Sequence, residues 1–288
     1  MVQQVKEMAS MSFASDVNGV ISSDGVSGYN CDNVTIGSYN MHGFNQGKVF
    51  LNDLCNFCDI IMLQEHWLLP HDLARINNFC NNFIGLSSSA MDHAISCGVL
   101  RGRPHGGIGI LVNKRLASCL RCILLDERII IISIGSMLLV NLYLPTLNSA
   151  DAYKETVTDI LAKIENVIAS QKNMNVVIGG DFNFDFTTNS CGQKLFSDFM
   201  LNCNLKVCDN IIANSVNYTY EHTTNNCTSF IDHVLVSKVF FDCILSGDIL
   251  DSGANLSDHL PIVLKLTADS FSNKDSYATL PAPHKDTV

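Results

Sequence analysis

The sequence predicts an α/β protein that folds as one large domain. Wholly apolar segments such as Val176, Val177 and Ile178 indicate buried strands, because β-branched residues on consecutive positions are typical of strands covered on both faces. Longer segments with apolar residues at helical spacing lie between them, and 150–170 is the clearest. A chain of 288 residues with 47% hydrophobic content can bury one large core, so no second domain is required.

The elements begin near residue 34, after a polar leader over 1–33 that has no sustained periodicity. Strands are predicted over 34–40, 59–63, 105–112, 128–134, 137–143, 176–178, 205–207, 218–220, 230–236 and 262–266, and helices over 47–58, 150–170 and 195–203. After residue 267 the chain becomes polar and contains proline, so we expect a domain over 34–267 and a tail over 268–288.

The overall charge restricts the classes of function. A net charge of −10 and a pI near 5.2 argue against a general polyanion binder, which usually carries a strong positive field. The stretch between His93 and Leu125 is different, because it contains basic residues and no acidic one. Its basic residues are Arg101, Arg103, Lys114, Arg115 and Arg121. This stretch predicts either a DNA-contacting surface, formed by the first four, or an ordinary solvated edge.

The cysteines and apolar runs indicate an intracellular protein outside the membrane. The 12 cysteines are scattered through apolar segments of a large chain without a signal peptide, which predicts reduced core residues. The C-x-x-C pairs Cys55/Cys58 and Cys119/Cys122 could hold zinc, but they are far apart and lack flanking turn residues, so buried thiols are favoured. The longest apolar run, 129–144, is interrupted by polar residues and is too short to span a membrane.

Polar side chains stand at the ends of several apolar strands. Asp181 follows Gly179 and Gly180, two glycines that we expect to end the central strand and turn the chain. A simple turn capped by Asp181 and Asn183 is the alternative interpretation. Glu65 follows a buried strand almost directly, where a carboxylate is costly unless it is hydrogen-bonded, paired or bound to a metal.

Eight residues share this placement at or within apolar strands. They are Asn40, Glu65, Tyr143, Asp181, Asn183, Asp232, Asp258 and His259. Carboxylates, amides and one imidazole suit a hard divalent ion such as Mg²⁺, which prefers oxygen ligands and activates water against a phosphate. The set therefore predicts one shared site.

Six short segments carry these residues in a fixed order: S-Y-N-M-H-G, L-Q-E-H-W, N-L-Y-L-P, G-G-D-F-N, F-I-D-H-V-L-V-S and L-S-D-H-L-P-I. Together they resemble the endonuclease/exonuclease/phosphatase superfamily, which includes DNase I, apurinic endonucleases, inositol polyphosphate 5-phosphatases and neutral sphingomyelinases. The resemblance covers about residues 34–267. It implies a DNase I-like, four-layer αββα sandwich with its site where the strand ends of the two sheets meet.

The resemblance also implies roles for the carboxylates and the histidine. Glu65 would ligate Mg²⁺, with Mn²⁺ as a substitute, and Asp258 would lie close to the ion as a further ligand. His259, oriented by Asp232, would contact the scissile phosphate and stabilise its developing charge. Asp181 would activate or position the attacking water.

The remaining implied roles concern substrate orientation. Asn183 and Asn40 would orient the phosphate and the catalytic base, and Tyr143 would contact a phosphate oxygen. One position departs from the family pattern, because many nucleases of the superfamily carry Asp or Asn where His42 stands. The departure bears on the number of metal ions and on their affinity.

The segments L-Q-E-H-W-L, G-R-P-H-G-G-I-G-I-L and L-S-D-H-L-P most resemble endonuclease domains of non-LTR, LINE-type retrotransposons. This resemblance implies an endonuclease that nicks double-stranded DNA and leaves a 3′ hydroxyl, which primes reverse transcription. The expected partner is the reverse transcriptase of the same element, which this chain does not contain, and the expected compartment is the nucleus if the substrate is chromosomal DNA.

Two alternative functions stay open at this stage. A phosphatase or lipid phosphodiesterase of the same fold is favoured by the acidic composition and disfavoured by the basic stretch. A catalytically decayed DNA-binding remnant would have lost site residues, but the principal ones are present.

Overall fold

The computed structural model describes residues 33–98, 102–146, 149–171, 173–212, 216–222, 224 and 227–267. The predicted leader, apart from Asn33, and the predicted tail over 268–288 lie outside the described residues, as does Arg101. Within the described ranges, no helix is both long and apolar enough to cross a membrane.

The strands are short and follow one another along the whole domain. In chain order they are β1 (Val34–Asn40), β2 (Ile60–Gln64), β3 (Phe83–Ser88), β4 (Ile108–Asn113), β5 (Leu120–Leu125), β6 (Ile129–Ile134), β7 (Met137–Tyr143), β8 (Asn175–Asp181), β9 (Leu205–Val207), β10 (Tyr220–His222), β11 (Cys227–Ser229), β12 (Asp232–Ser237), β13 (Ile244–Ile249) and β14 (Ile262–Leu266). The helices are α1 (Phe44–Leu54), α2 (Ala74–Asn77), α3 (Asp92–Ser96), α4 (Ala150–Ser170), α5 (Cys191–Asn202) and α6 (Asp209–Ile212). Short 3₁₀ helices cover Pro70–Asp72, Lys114–Cys119 and Lys238–Cys243.

The strands form two mixed sheets and one small hairpin. The first sheet has the order β13-β14-β1-β2-β4-β3, the second has the order β5-β6-β7-β8-β12-β9, and β10 pairs with β11. Each sheet has one parallel pair at its centre, β1 with β2 and β7 with β8, and the other pairs are antiparallel. Helices α1 and α4 connect the two parallel pairs, as parallel connections require.

The core consists of three apolar layers. One fills the space between the two sheets and includes Met62 and Val177, one lies between the second sheet and helices α4 and α5, and one lies between the first sheet and helices α1 and α2. Neighbouring residues of a strand serve different layers, since Ile61 faces α1 whereas Met62 faces the other sheet. The predicted αββα sandwich is therefore confirmed.

The cysteines do not all lie in the core. Those in the described part of the chain are free thiols, and Cys58 and Cys208 are buried as predicted. The prediction is wrong for four exposed cysteines, Cys97, Cys119, Cys122 and Cys227. Two of these belong to the second C-x-x-C pair, and among the described residues no cysteine joins a metal-ligating cluster.

The two glycines before Asp181 do not end the central strand, contrary to the sequence-based prediction, because β8 continues through both of them. A Cβ at Gly179 would collide with the Met62 Cε of the facing sheet. A Cβ at Gly180, which has a φ of +143°, would collide with the Leu142 carbonyl oxygen on β7. The glycines thus allow close approach of backbone and sheet rather than a turn.

We predict that Gly180→Ala lowers the free energy of unfolding by roughly 2–5 kcal/mol, because the new methyl group overpacks the strand pair and the backbone conformation disfavours a Cβ. Denaturant unfolding measures the change. Gly253→Ala is the matched control, since no atom lies within 4 Å of its Cβ position, and it should stay within about 0.5 kcal/mol of the wild type. Equal losses in the two variants would contradict the packing argument.

Candidate active site

The predicted site residues meet where the central strands of both sheets end. Asn40 is the last residue of β1 and Glu65 directly follows β2, so the parallel pair places them at one edge of the first sheet. Tyr143 and Asp181 end the parallel pair of the second sheet and are register partners. Asp232 begins the antiparallel strand β12 opposite Asp181. The C-terminal ends of the parallel strands β1 and β2 therefore face the C-terminal ends of the parallel strands β7 and β8 across the sandwich.

Asn40 joins the two sheets at this edge. Its Nδ2 donates to Glu65 Oε1 at 3.1 Å and to Asp181 Oδ2 at 2.9 Å. Its Oδ1 accepts from the His42 backbone N–H at 3.1 Å. Because the whole amide is used and Asn40 is buried, its side chain fixes the two carboxylates relative to each other.

Asp181 is a buried carboxylate with several hydrogen-bond donors. Asn183 donates its backbone N–H to Asp181 Oδ1 at 2.8 Å and its Nδ2 to Oδ2 at 3.2 Å, and the same Nδ2 also donates to the Leu144 carbonyl at 2.8 Å. Burial and the neighbouring charge of Asp232 raise the pKa of Asp181 to about 7, against the opposing effects of His259 and Asn183. A carboxylate with this pKa can exchange a proton near neutral pH.

His259 and Asp232 form a second buried pair. The Nδ1 of His259 lies 2.7 Å from Asp232 Oδ2, and the Tyr220 ring packs on the imidazole with centroids 4.9 Å apart. Burial alone would lower the pKa of His259, but Asp232, Asp181 and Asp258 raise it to about 10. At neutral pH this side chain is therefore an imidazolium. Its Nδ1–H is directed to Asp232, which leaves Nε2–H for another partner.

Asp258 lies beside His259 and is paired with a residue outside the predicted set. Its Oδ1 is 2.8 Å from His42 Nδ1. Burial raises the pKa of Asp258, but the opposing effects of His42 and His259 lower it below its ordinary value. The loop before it is tied to the first sheet, because Ser257 Oγ donates to the Asn40 carbonyl at 2.8 Å. With this loop in place, the structure brings all eight predicted residues to one edge.

Backbone strain is concentrated at the same edge. Six described non-glycine residues have positive φ, and four of them lie at this edge: His42, Glu65, Trp67 and Asn183, with φ values of 45°, 52°, 56° and 54°. Such conformations are disfavoured for side chains with a Cβ and persist only where surrounding contacts enforce them. The four positions surround the carboxylates, so the strain sets the directions in which the site residues point.

Trp67 belongs to the site, although it is not among the eight residues predicted from the sequence. Its Nε1 donates to Glu65 Oε2 at 2.9 Å, and its ring centroid is 4.7 Å from that of His42. The one signal for it was its position two residues after Glu65. Tyr220 had no such signal, because it is distant in sequence from His259 and contacts it only through the fold.

A buried amide pair connects the two sheets behind the site. Gln64 Nε2 donates to Asn141 Oδ1 at 2.7 Å, and Asn141 Nδ2 donates to the carbonyls of Leu63 at 3.0 Å and Gly109 at 2.7 Å. Both side chains are 0% exposed. Gln64 directly precedes Glu65, so the pair holds the strand that carries this carboxylate against β7.

The structure separates the residues that the sequence grouped as a DNA-contacting surface. Arg115 pairs with Asp59 at 2.7 Å, at the start of β2, whereas the site lies at the end of β2. Lys114 lies at the same end, because β4 runs antiparallel to β2 and its last residue precedes Lys114. Arg103 lies near the site, in a groove that Trp67 also lines. The basic stretch is therefore not one continuous surface.

Comparison with known proteins bears on the family. The model of the endonuclease/exonuclease/phosphatase family matches residues 37–259, a range that contains all eight site residues. The chain belongs to this family. No curated protein matches it by sequence.

Solved structures of the family share the fold. A 3′–5′ exonuclease from Neisseria meningitidis is 16% identical with a TM-score of 0.58, and the match covers 81% of this chain and 100% of that one. The endonuclease domain of TRAS1, a telomere-specific non-LTR retrotransposon, is 15% identical with a TM-score of 0.56, covering 82% and 99%. An AP endonuclease from Archaeoglobus fulgidus is 12% identical with a TM-score of 0.61, covering 81% and 99%.

We predict that Asp181 makes stability fall as pH rises. Its folded-state pKa lies above the ordinary value of 3.8, so the folded protein binds the extra proton, and this contribution is lost between pH 3.8 and about 7. In EDTA, Asp181→Asn should gain stability relative to wild type over this interval by about 2–4 kcal/mol. Unfolding curves at several pH values test this, with Asp198→Asn, an exposed carboxylate of α5, as the control. A constant difference between variant and wild type would contradict it.

Proposed function

We propose that this protein is a divalent-metal-dependent DNA endonuclease that nicks double-stranded DNA by water attack on a phosphodiester. One observation carries the proposal. Ligand atoms of Asp181, Asp232 and His259 lie within 4.8 Å of one another in a buried cluster. The cluster combines a carboxylate whose pKa is raised to about 7 with an imidazole whose pKa is raised to about 10. Phosphodiester hydrolysis needs such a proton acceptor and such a cation at one place.

Asp181 accepts the proton of the attacking water in this mechanism. A general base is most effective when its pKa is near the working pH, and burial brings Asp181 into that range. Asn183 and Asn40 hold both carboxylate oxygens, so the base has one fixed direction.

His259 donates a hydrogen bond to a phosphate oxygen as negative charge develops there. Asp232 fixes the ring through Nδ1 and keeps it protonated, which leaves Nε2–H for the substrate. Tyr143 is the second donor. Burial and the charges of Glu65 and Asp181 raise the pKa of Tyr143, so its hydroxyl keeps its proton.

The donor set at the edge fits Mg²⁺ or Mn²⁺. The Glu65 carboxylate accepts hydrogen bonds from Asn40 at Oε1 and from Trp67 at Oε2, and carboxylate oxygens retain further lone pairs for a hard cation. We assign the ion to Glu65 with Asp258 as a further oxygen donor. Because Asp258 Oδ1 already lies 2.8 Å from His42 Nδ1, fewer of its lone pairs remain for a cation, which favours a single ion. Such an ion, when bound, lowers the pKa of water and neutralises phosphate charge.

DNA is the substrate that the similar solved structures support. A 3′ phosphatase of the same fold from Neisseria is bound to a product DNA hairpin, and the TRAS1 domain is an endonuclease of a retrotransposon. A nick that leaves a 3′ hydroxyl would prime reverse transcription, so the reverse transcriptase of the same element is the proposed partner and the nucleus the proposed compartment.

A substrate panel tests the proposed function. Supercoiled plasmid, abasic duplex, a 3′-phosphorylated duplex and a phosphoinositide should be incubated side by side with the protein and Mg²⁺. Conversion of plasmid to nicked circles at the highest rate supports an endonuclease. Preferential release of phosphate from the phosphoinositide or the 3′ end would replace it with a phosphatase.

Nicking should require a divalent ion, because Glu65 and Asp258 offer oxygen ligands beside the proton acceptor Asp181. We expect excess EDTA to abolish plasmid nicking and added Mg²⁺ or Mn²⁺ to restore it. Nicking that continues undiminished in EDTA would reject the metal assignment.

The substitutions Asp181→Asn and His259→Ala should each reduce the nicking rate by about 10²-fold or more, the usual size of acid–base and charge-stabilising contributions. Circular dichroism measured with the rates separates lost chemistry from lost folding. His93→Ala, at an exposed position away from the cluster, is the matched control. Folded variants with nearly wild-type rates would show that the two residues are structural.

A further inference from the structure

A groove of about 390 Å³ adjoins the site on the side of Trp67. Its walls come from the start of α1, the loop after β2, the short helix α2 and the segment before β4, which supplies Arg103. Trp67 belongs to both places, since it lines the groove and its Nε1 bonds to Glu65 at 2.9 Å. A chain bound in the groove would therefore continue directly to the predicted metal ligand.

Two arginines line this groove, and only Arg103 was part of the basic stretch. The Arg75 guanidinium donates to Asn45 Oδ1 at 2.8 Å and lies 4.5 Å from the centroid of the Phe44 ring. These contacts fix its position, yet a guanidinium has five N–H donors, so most of them stay available. Planar, oriented guanidinium groups are suited to phosphate oxygens.

The remaining titratable groups leave the groove cationic. Asp72 is the carboxylate among its lining residues, opposed by the two arginines. His66 also lines it, and its Nδ1 accepts from the Leu68 N–H at 3.0 Å, so this ring nitrogen carries no proton. In a protein with a net charge of −10, a positively charged groove beside the site is a distinct feature.

A second groove gives the contrast. It measures about 480 Å³ and is lined by Asp53, Asp248 and Asp251 together with Ser252 and apolar residues, and none of its described lining residues is basic. A polyanion would be repelled there. Charge therefore distinguishes the two grooves and selects the one beside Trp67 for a phosphate-bearing chain.

We propose that the groove beside Trp67 holds the DNA strand next to the scissile phosphate, with Arg75 and Arg103 each binding a backbone phosphate. This inference rests on the proposed endonuclease function and specifies where its substrate runs. It retains Arg103 from the basic stretch, adds Arg75, and leaves out Lys114 and Arg115, which lie at the opposite end of the strands. Contacts to the backbone would position DNA without selecting its sequence.

The first experiment measures binding. Both proteins carry Asp181→Asn and are kept in EDTA. Duplex DNA is titrated into the parent and into the variant with Arg75→Ala/Arg103→Ala at several salt concentrations. We expect affinity to fall about 10-fold or more and the slope of log K against log salt to flatten by about 1.8, or about 0.9 per lost phosphate contact. Arg75→Lys/Arg103→Lys should recover much of the slope, because it restores both charges.

The matched control removes two positive charges elsewhere. Arg121→Ala/Lys238→Ala changes exposed residues at the far end of the second sheet, since Arg121 pairs with Ser133 near the start of β7 and Lys238 follows the end of β12. Its slope and affinity should match those of the parent. Equal losses of affinity and slope in Arg75→Ala/Arg103→Ala and in the control would mean a general charge effect and would reject DNA binding in the groove.

The second experiment separates substrate positioning from chemistry. With Asp181 intact, the variant Arg75→Ala/Arg103→Ala should raise the KM for plasmid nicking far more than it lowers kcat. The loss in kcat/KM on plasmid should exceed the loss on bis(p-nitrophenyl) phosphate, a small diester that cannot extend along the groove, by about 10-fold or more. Equal losses on both substrates would show a structural role and overturn the inference.

These outcomes distinguish the groove from the proposed function. If the wild-type protein nicks plasmid and Arg75→Ala/Arg103→Ala behaves like the control, DNA binding in the groove is rejected and the proposed endonuclease function is retained. A wild-type protein that binds DNA with an arginine-dependent slope but never nicks it would reject the endonuclease and support the groove.

Discussion

The site depends on the fixed position of one sheet against the other, and the buried Gln64–Asn141 pair enforces that position. Each sheet supplies half of the polar residues, so a slide of one residue, about 3.3 Å along a strand, would separate Asn40 from Asp181. Apolar side chains alone resist such a slide weakly, because the hydrophobic effect has no direction. Two amides sealed between the sheets do resist it, since a slide would leave their donors unpaired in an apolar interior.

Continuous apolar runs made the central strands predictable, and three of the four edge strands of the two six-stranded sheets lacked that signal. The hairpin β6–β7 and the strands β9 and β14 lie at or within one residue of their predicted bounds, and α4 matches 150–170. Four strands, β3, β5, β11 and β13, were missed; β3, β5 and β13 lie at an edge of a six-stranded sheet, and β11 belongs to the two-stranded hairpin. An edge strand is covered less, so its composition is mixed; β13 contains Ser246, Gly247 and Asp248.

The same distinction explains what could be predicted of the site. All eight polar residues stand out because each interrupts or ends an apolar strand, and a single sequence displays that contrast. Contacts between residues distant in sequence cannot be predicted from a local pattern. His42 pairs with Asp258 at the other end of the domain sequence, and a Cβ at Gly180 would collide with Leu142 on the neighbouring strand. Arg103 and Lys114 are close in sequence but separated in the fold, since β4 runs between them and places them toward opposite ends of that strand.

The pairing of the first strand with the last has a consequence for how the domain can be attached to other chains. β1 and β14 are antiparallel neighbours, with Val34 opposite Leu266, and this end of the pair is the one remote from Asn40. The described domain therefore begins and finishes at the same place, away from the edge that carries Asn40. A polypeptide joined before Val34 or after Leu266 would connect at this end of the β1–β14 pair. The domain can thus be inserted into, or tethered by, a longer chain through the end of the β1–β14 pair that is remote from Asn40.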